Sequence, residues 1–163
     1  MKTVREILQK KGGKIWSVTP ETTVFEALQI MAEKKIGALL VKSGNDIKGI
    51  MSERDYARKV ILLGKSSKEA IVSEIMSVHV LYVKIDQTVD ECIALMINKK
   101  IRHLPVFDRE GLVGLISIGD VVKAVIDERE FVIDQLVHYI ADTPSIGEAA
   151  KVLENADAPP TVN

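Results

Sequence analysis

A serine with an aspartate three residues later occurs twice, each time where a short apolar run meets a helical pattern. The stretches are "GIMSERD", with Ser52 and Asp55, and "GLISIGD", with Ser117 and Asp120. A serine there caps the free amides of a helix, and an aspartate in the first turn suits the helix dipole. The same groups suit a ligand, because such amides bind phosphate and an aspartate accepts hydrogen bonds from ribose hydroxyls. We predict helix caps, and the residue types leave open whether they also contact a ligand that carries phosphate and hydroxyl groups.

The chain contains two copies of one unit, which explains why the motif occurs twice. At an offset of 65, residues 23–55 align with 88–120 without a gap, and twelve of the 33 pairs are identical. The apolar spacing of each copy predicts a strand, a helix, a two-stranded hairpin and a second helix. The first strands are predicted at 14–18 and 79–83. Gly49 and Gly114, which open the two motifs, would let a ligand approach the strand backbone.

The two copies differ in charge beside these motifs. The stretch "IRHLPV" places Arg102 and His103 at the start of a strand, where the guanidinium offers a two-pronged donor to phosphate. The alternative is a solvated strand end. The first copy has Gly37 and Ala38 at the matching positions, without charge. We therefore expect the second-copy cleft to be the more cationic one, unless Arg54, otherwise a surface charge, compensates in the first.

The bulk composition argues against several function classes. The net charge of −1 is unlike that of an electrostatic nucleic-acid binder. The one cysteine, Cys92, aligns with Ala27 on an apolar helix face and is expected in the core. Three histidines show no paired metal-ligand spacing, and no known catalytic motif is present. No apolar run reaches the roughly 20 residues of a membrane span, and the start does not read as a secretory signal. We expect a cytoplasmic protein, with the mitochondrial matrix left open.

In these motifs the chain resembles a tandem cystathionine-β-synthase domain pair, the CBS pair or Bateman module, of the small stand-alone bacterial and plant organellar type. The resemblance covers about residues 4–126 and rests on the doubled "T-V-x-E" helix starts, "IRHLPV" and the doubled G-h-h-S-x-x-D, where h is apolar. The family implies an adenosine ligand in the clefts between the copies and, usually, a dimer of pairs. It places the adenine against the first strands and the "ALLV" and "HLPV" strands, here Trp16, Ser17, Val18, Val80, Leu81, Tyr82, Leu104 and Pro105. For Trp16 the alternative is plain core packing.

A long helix is predicted after the second motif. Residues 121–140 contain no glycine or proline, and their apolar side chains form two adjacent stripes. Such a helix would overhang a small domain, and a second copy of the chain is the simplest cover for its apolar face. We therefore expect a homodimer. Further on, "SIGEAAKVL" echoes "TVFEALQIM" like the start of a third copy, followed by a tail.

These observations predict an α/β fold of two β-α-β-β-α CBS units packed as a pseudo-twofold pair, with a C-terminal helical extension. The units are predicted at 4–65 and 72–126, and the extension and tail at 127–163. The resemblance implies a non-enzymatic regulatory sensor of energy or redox state that binds an adenine nucleotide. AMP comes first, and ADP, ATP and NAD(H) are the other candidates. The regulated protein partner is not named by the sequence. The alternative is a protein-interaction scaffold with empty clefts.

Overall fold

The computed structural model describes residues 2–142, and the first of its two compact units ends at Ala124. The helices and strands of the first repeat, with the helix before it, are α1 (Val4–Lys11), β1 (Ser17–Val18), α2 (Val24–Lys34), β2 (Ala38–Ser43), β3 (Asp46–Ser52) and α3 (Glu53–Tyr56), which continues as a π-helical turn (Ala57–Ile61). Those of the second are α4 (Val72–Ile75), β4 (Val83–Lys84), α5 (Val89–Lys99), β5 (His103–Phe107), β6 (Leu112–Ser117) and α6 (Ile118–Asp142).

The repeat found in the sequence is also a repeat in space. One sheet has the order β1-β2-β3 and the other β4-β5-β6, each with one parallel and one antiparallel pair. The hairpin registers match at the offset of 65: Ala38 faces Ser52, and His103 faces Ser117. The mixed α/β fold of two related units, with a C-terminal helix, is thereby confirmed.

The first strands are shorter than the sequence predicted. We expected strands at 14–18 and 79–83, whereas β1 is Ser17–Val18 and β4 is Val83–Lys84. Each is an edge strand and is hydrogen-bonded to one neighbour, the middle strand of its three-stranded sheet. Apolar content alone does not create this ladder, because a strand needs partner groups along its length.

Helices α2 and α5 show why the two copies fold alike. Thr23 and Thr88 cap them, each in a reciprocal capping box with the glutamate three residues later. Lys35 and Lys100 end them in the left-handed conformation, both with φ of 54°. Every turn of these helices is therefore specified by local sequence that occurs twice.

The apolar faces of α2 and α5 form matching cores under the two sheets. The buried side chains pair at the offset of 65, and among them Ala27 and Cys92 are both fully buried. Burial, with the neighbouring charge of Glu91, raises the pKa of the Cys92 thiol to about 11. The thiol stays protonated at neutral pH, so the prediction that Cys92 belongs to the core is confirmed.

Helix α1 precedes the first repeat in sequence but is hydrogen-bonded to the second. The Val4 amide donates to the Gln87 carbonyl at 2.9 Å, and the Arg5 amide donates to the Ile85 carbonyl at 2.9 Å. Helix α4 precedes the second repeat in sequence but is hydrogen-bonded to the first, since the Val72 amide donates to the Thr22 carbonyl at 2.8 Å. The predicted boundaries at 4–65 and 72–126 stay a prediction, but the two repeats exchange their leading helices.

Helix α6 begins at Ile118 and runs through residues 121–140, where the sequence predicted a continuous helix. The second compact unit begins at Val125. Beyond that point the large apolar side chains are exposed, including Phe131, Ile133 and Leu136, each more than half accessible. Among residues 2–142, no helix combines the length and apolarity that crossing a membrane would require. The predicted third-copy echo lies outside the described residues.

Candidate functional site

Two cavities lie beside the two Ser–Asp motifs, within the first compact unit. The Asp120 cavity has a volume of about 390 Å³ and is lined by Lys11, Gly12, Lys14, Trp16, Lys35, Ile36, Gly37, Ala38, His103, Leu115, Ser117 and Asp120. The Asp55 cavity has a volume of about 380 Å³ and is lined by Gly37, Ile50, Ser52, Glu53, Arg54, Asp55, Arg58, Lys59, Ser77, His79, Val80, Leu81, Lys100, Ile101, Arg102 and His103. Both volumes suit a small organic ligand.

In the Asp120 cavity, the motif forms the predicted helix cap. The Asp120 amide donates to Ser117 Oγ at 3.3 Å, while the Ser117 amide and hydroxyl donate to Asp120 Oδ2 at 2.7 and 2.8 Å. Lys11 Nζ donates to the same Oδ2 at 2.5 Å and to the Leu115 carbonyl at 3.0 Å. Burial acts to raise the pKa of Asp120, but the hydrogen bonds from Lys11 and Ser117 and the Lys11 charge outweigh it and leave the pKa below its ordinary value. The carboxylate is ionised at neutral pH and ready to accept hydrogen bonds.

In the Asp55 cavity, the same cap forms with a different cation. The Ser52 amide and hydroxyl donate to Asp55 Oδ2 at 2.9 and 2.7 Å. Lys59, one helical turn onward, lies 3.0 Å from Asp55 Oδ1 and also donates to the Ile75 carbonyl at 2.6 Å. The side chain of Asp55 is 14% exposed, against 23% for Asp120. Each motif therefore holds a charge-compensated carboxylate at a cavity wall.

His103 and Gly37 contribute to the walls of both cavities. A Cβ at Gly37 would lie 3.5 Å from the imidazole Cε1 and Nε2 atoms, so the glycine leaves space that the histidine fills. Burial and, to a smaller extent, the positive charges of Lys11, Arg102 and Arg54 together lower the pKa of His103 to about 4, although the charge of Asp120 acts in the opposite direction. The imidazole is neutral at physiological pH and does not add a cation to either cavity.

The structure corrects the predicted grouping of the arginines. We expected Arg102 beside Asp120, but it lines the Asp55 cavity together with Arg54. Arg102 immediately precedes β5 and lines the Asp55 cavity, whereas His103, the first residue of β5, lines both cavities. Arg54 Nη1 donates to the Lys100 carbonyl at 2.8 Å. The Asp55 cavity, not the second-copy cleft, therefore carries the guanidinium groups.

The predicted first-copy residues are also redistributed. Trp16, Gly37 and Ala38 line the Asp120 cavity, although that aspartate belongs to the second copy. Val80 and Leu81 from the second copy line the Asp55 cavity. Each cavity is therefore built from both repeats.

Five predicted adenine contacts line neither of these cavities. Val18, Leu104 and Pro105 are buried, the first two in the sheet cores with at most 7% of their surface accessible. Tyr82 lies instead in a separate concavity, where its ring packs edge-on against Phe107 with centroids 5.1 Å apart. Ser17, also predicted, is not part of the two cavity walls. Leu104 and Pro105 are adjacent and both buried, so β5 is covered on both faces at this point and offers no surface to a ligand.

Gly49 and Gly114 do not leave room for a ligand beside the strand backbone, as the sequence had suggested they would. A Cβ at Gly114 would lie 2.7 Å from Leu8 Cδ2, and one at Gly49 would lie 2.8 Å from Met76 Sδ and from the Ser77 carbonyl oxygen. The close approach that these glycines permit is made by the chain itself. The exchange of leading helices explains this, because α1 and the end of α4 cover the hairpins.

Sequence reasoning missed most of the cations in the cavities. Lys11, Lys14 and Lys35 line the Asp120 cavity. Arg58, Lys59 and Lys100 line the Asp55 cavity. Lys59 was detectable, since a lysine four residues after an aspartate pairs with it on a helix. Lys11 was not, because 109 residues separate it from Asp120. Among the described residues, no group of histidine, cysteine and carboxylate side chains is placed to hold a metal ion.

Comparison with known proteins decides the family. The CBS domain profile matches residues 4–61 and 72–127. The chain belongs to the CBS-domain family. It is 36% identical to the CBS domain-containing protein CBSX3, mitochondrial, of Arabidopsis thaliana, over 85% of this chain and 71% of that protein.

Solved structures agree with this assignment. A CBS-domain protein from Burkholderia ambifaria is 53% identical, with a TM-score of 0.75, over 77% of this chain and 95% of that one. A CBS domain pair solved in complex with 5′-methylthioadenosine and S-adenosyl-L-methionine is 22% identical, with a TM-score of 0.69, over 78% of this chain and 98% of that one. The second likeness shows the shared fold. The predicted family, a small stand-alone CBS pair, is confirmed.

Proposed function

We propose that this CBS pair is a non-enzymatic regulatory sensor that binds an adenine nucleotide reversibly. AMP is the first candidate, and ADP, ATP and NAD(H) are the others. The observation that carries the proposal is the arrangement found twice: a capped aspartate at the wall of a cavity that also holds cations and apolar side chains. A ribose, a phosphate and an adenine need these three kinds of group.

The ribose is assigned to the aspartates. The carboxylate oxygens of Asp55 and Asp120 are hydrogen-bond acceptors at the cavity walls, and the ribose hydroxyls are donors. The phosphate is assigned to the cations, three lysines in the Asp120 cavity and five lysine or arginine residues in the Asp55 cavity.

The adenine is assigned to the apolar part of each cavity. In the Asp120 cavity this part includes Trp16, Ile36 and Leu115, and in the Asp55 cavity it includes Val80 and Leu81. An adenine ring can stack on such surfaces while its edge stays polar. The solved CBS pair with adenosine compounds supports the proposal to this extent: the fold can hold that class of ligand.

A thermal-shift panel of adenosine, AMP, ADP, ATP, NAD⁺ and NADH tests the proposal. A ligand at one hundred times its dissociation constant stabilises the native state by about 2.7 kcal/mol, and the unfolding temperature should rise by several degrees. GMP and CMP serve as controls for the base. If no adenine compound shifts unfolding at millimolar concentration, the clefts are empty and the interaction scaffold replaces the sensor. Mass spectrometry of small molecules released from purified protein identifies the natural ligand.

We also propose that the protein is a homodimer. The exposed apolar residues of α6 support this, because a contiguous patch of that kind is unusual on a monomer and a twofold axis lets it cover itself. A chain ending after Asp127 should move toward monomer or aggregate, whereas one ending after Asp142 should stay dimeric. Light scattering measures both. A full-length monomer at micromolar concentration contradicts the proposal, and a dimer that survives the shorter truncation moves the interface to the CBS units.

We place the protein in the cytoplasm. The mitochondrial matrix is the alternative, which is supported by the mitochondrial designation of the Arabidopsis thaliana relative. Fractionation of cells expressing a tagged chain separates the two compartments.

A further inference from the structure

The two motif aspartates use their oxygen atoms differently. At Asp120, the Ser117 amide, the Ser117 hydroxyl and Lys11 Nζ all donate to Oδ2. Among the described residues, Oδ1 of Asp120 has no hydrogen-bonding partner. At Asp55, Oδ2 accepts only from Ser52, and Oδ1 is paired with Lys59. One carboxylate therefore has an oxygen available, and the other has both oxygens engaged.

Lys59 is held in place from two sides. Its ammonium lies 3.0 Å from Asp55 Oδ1 and donates to the Ile75 carbonyl at 2.6 Å. Both Lys59 and Asp55 line the same cavity. A ligand hydroxyl that binds Oδ1 must compete with the ammonium for that oxygen, and to the extent that the ammonium is displaced it keeps one carbonyl acceptor and loses its counter-ion. A ligand without charge offers the Lys59 ammonium no replacement ion pair, whereas a phosphate supplies a new anionic partner.

We propose that Lys59 makes the Asp55 cavity selective for phosphorylated adenosine compounds over adenosine itself. The inference rests on the proposed function. The phosphate takes over the Lys59 ammonium, and the released Oδ1 accepts the ribose hydroxyls. The Asp120 cavity has no such requirement, because Lys11 binds the inner oxygen and leaves Oδ1 available. It accepts nucleosides and nucleotides with less discrimination.

Lys59 and Lys11 do not occupy equivalent positions in the two repeats. At the offset of 65, Lys59 corresponds to Ala124 and Lys11 corresponds to Met76. Each cavity has acquired its compensating cation from a position that the other copy fills with a neutral residue. Lys59 can therefore be replaced without any equivalent change in the Asp120 cavity.

The test measures adenosine and AMP binding by calorimetry, with Trp16 fluorescence recorded in parallel. Trp16, the only tryptophan, lines the Asp120 cavity, so binding heat without a fluorescence change reports the Asp55 cavity. The variants are Lys59→Met, which keeps the aliphatic stem without the charge, and Lys59→Arg, which keeps a cation. Lys48→Met is the matched control, because Lys48 is an exposed lysine on β3 outside both cavities.

In the wild type, the Asp55 cavity should bind AMP at least about tenfold more tightly than adenosine, the size of one charge-assisted contact. Lys59→Met should raise adenosine affinity and lower AMP affinity, so that the ratio falls to about threefold or less. Lys59→Arg and Lys48→Met should keep the wild-type ratio. Equal affinities in the wild type, or an unchanged ratio in Lys59→Met, overturn the selectivity while the nucleotide-binding function stands. Absence of binding by either compound at both cavities overturns the proposed function as well.

Discussion

The Asp120 and Asp55 cavities begin from the same seven-residue pattern and end as different sites. Both have a serine–aspartate cap at a hairpin-to-helix corner, and their volumes are about 390 and 380 Å³. The Asp120 cavity has three lysines and the tryptophan. The Asp55 cavity has five cations, three of them arginines, with two carboxylates, those of Glu53 and Asp55. The local motif is therefore conserved between the copies of this chain, while the surrounding charge is not.

The difference has a structural cause. Each cavity combines the motif of one repeat with strand residues of the other, so the residues opposite each aspartate come from non-equivalent sequence. The leading helices are exchanged as well, and α1 brings Lys11 to Asp120, whereas α4 ends at Met76 beside Gly49. A duplicated motif in a pseudo-symmetric pair can thus give two sites of different specificity without any change in the motif.

The largest effect is expected from removing the carboxylates. Asp120→Ala and Asp55→Ala should each weaken nucleotide binding in their own cavity by about 10- to 150-fold, the range of a charge-assisted hydrogen bond. Only the first should alter the Trp16 fluorescence titration. Calorimetry gives the affinities, and Asp46→Ala at the start of β3, outside both cavities, is the control. Wild-type affinity at both cavities in both variants shows that neither aspartate accepts the ribose.

His103, which lines both cavities, provides a test through the pH dependence of stability. The pKa of His103 is about 4 in the folded protein and about 6.5 when unfolded, so the unfolded chain binds the extra proton and the free energy of unfolding falls as pH drops from 6.5 to 4. Between pH 7 and pH 5 this loss is about 2 kcal/mol. His103→Gln should lack that component. Urea unfolding of both proteins at the two pH values measures it.

The comparison between the two proteins cancels the other titrating groups, since only residue 103 differs. Saturating AMP should also reduce the pH dependence of the wild type, because a phosphate in either cavity would raise the pKa of the imidazole. If wild type and variant lose the same free energy between pH 7 and pH 5, His103 is not held neutral by its surroundings.

A smaller effect is expected at Arg102. Arg102→Ala should lower AMP affinity in the Asp55 cavity by about tenfold and leave adenosine affinity nearly unchanged, because a guanidinium at the cavity wall binds a phosphate and adenosine has none. Calorimetry with both compounds measures this, and Arg109→Ala, outside both cavities, is the control. Equal losses for AMP and adenosine mean that Arg102 does not contact phosphate, and a loss confined to the Asp120 cavity restores the grouping predicted from the sequence.

Local sequence was sufficient wherever the specifying contacts are local. The Thr23 and Thr88 capping boxes, the burial of Cys92 and the Ser–Asp helix caps depend on residues within one turn or on one helix face. The helix starts at these threonines, the burial of Cys92 and the Ser–Asp caps were predicted, as was the continuous α6 helix, whereas the capping boxes themselves came from the structure. The strand lengths were not, because β1 and β4 each pair with only two residues of the neighbouring strand, and that register is set by the tertiary structure.

The sequence by itself determined the repeat, the family, and the two corners at which an aspartate faces a cavity. Only the tertiary structure decided which side chains meet there. In the folded chain Arg102 lines the Asp55 cavity, and Lys11 is paired with Asp120, 109 residues away in sequence. The space beside Gly49 and Gly114 is occupied by other residues of the same chain. The physical reason is that caps and helix faces are set by neighbours three or four residues apart, whereas a cleft is assembled from elements whose order in space is fixed only when the two repeats pack together.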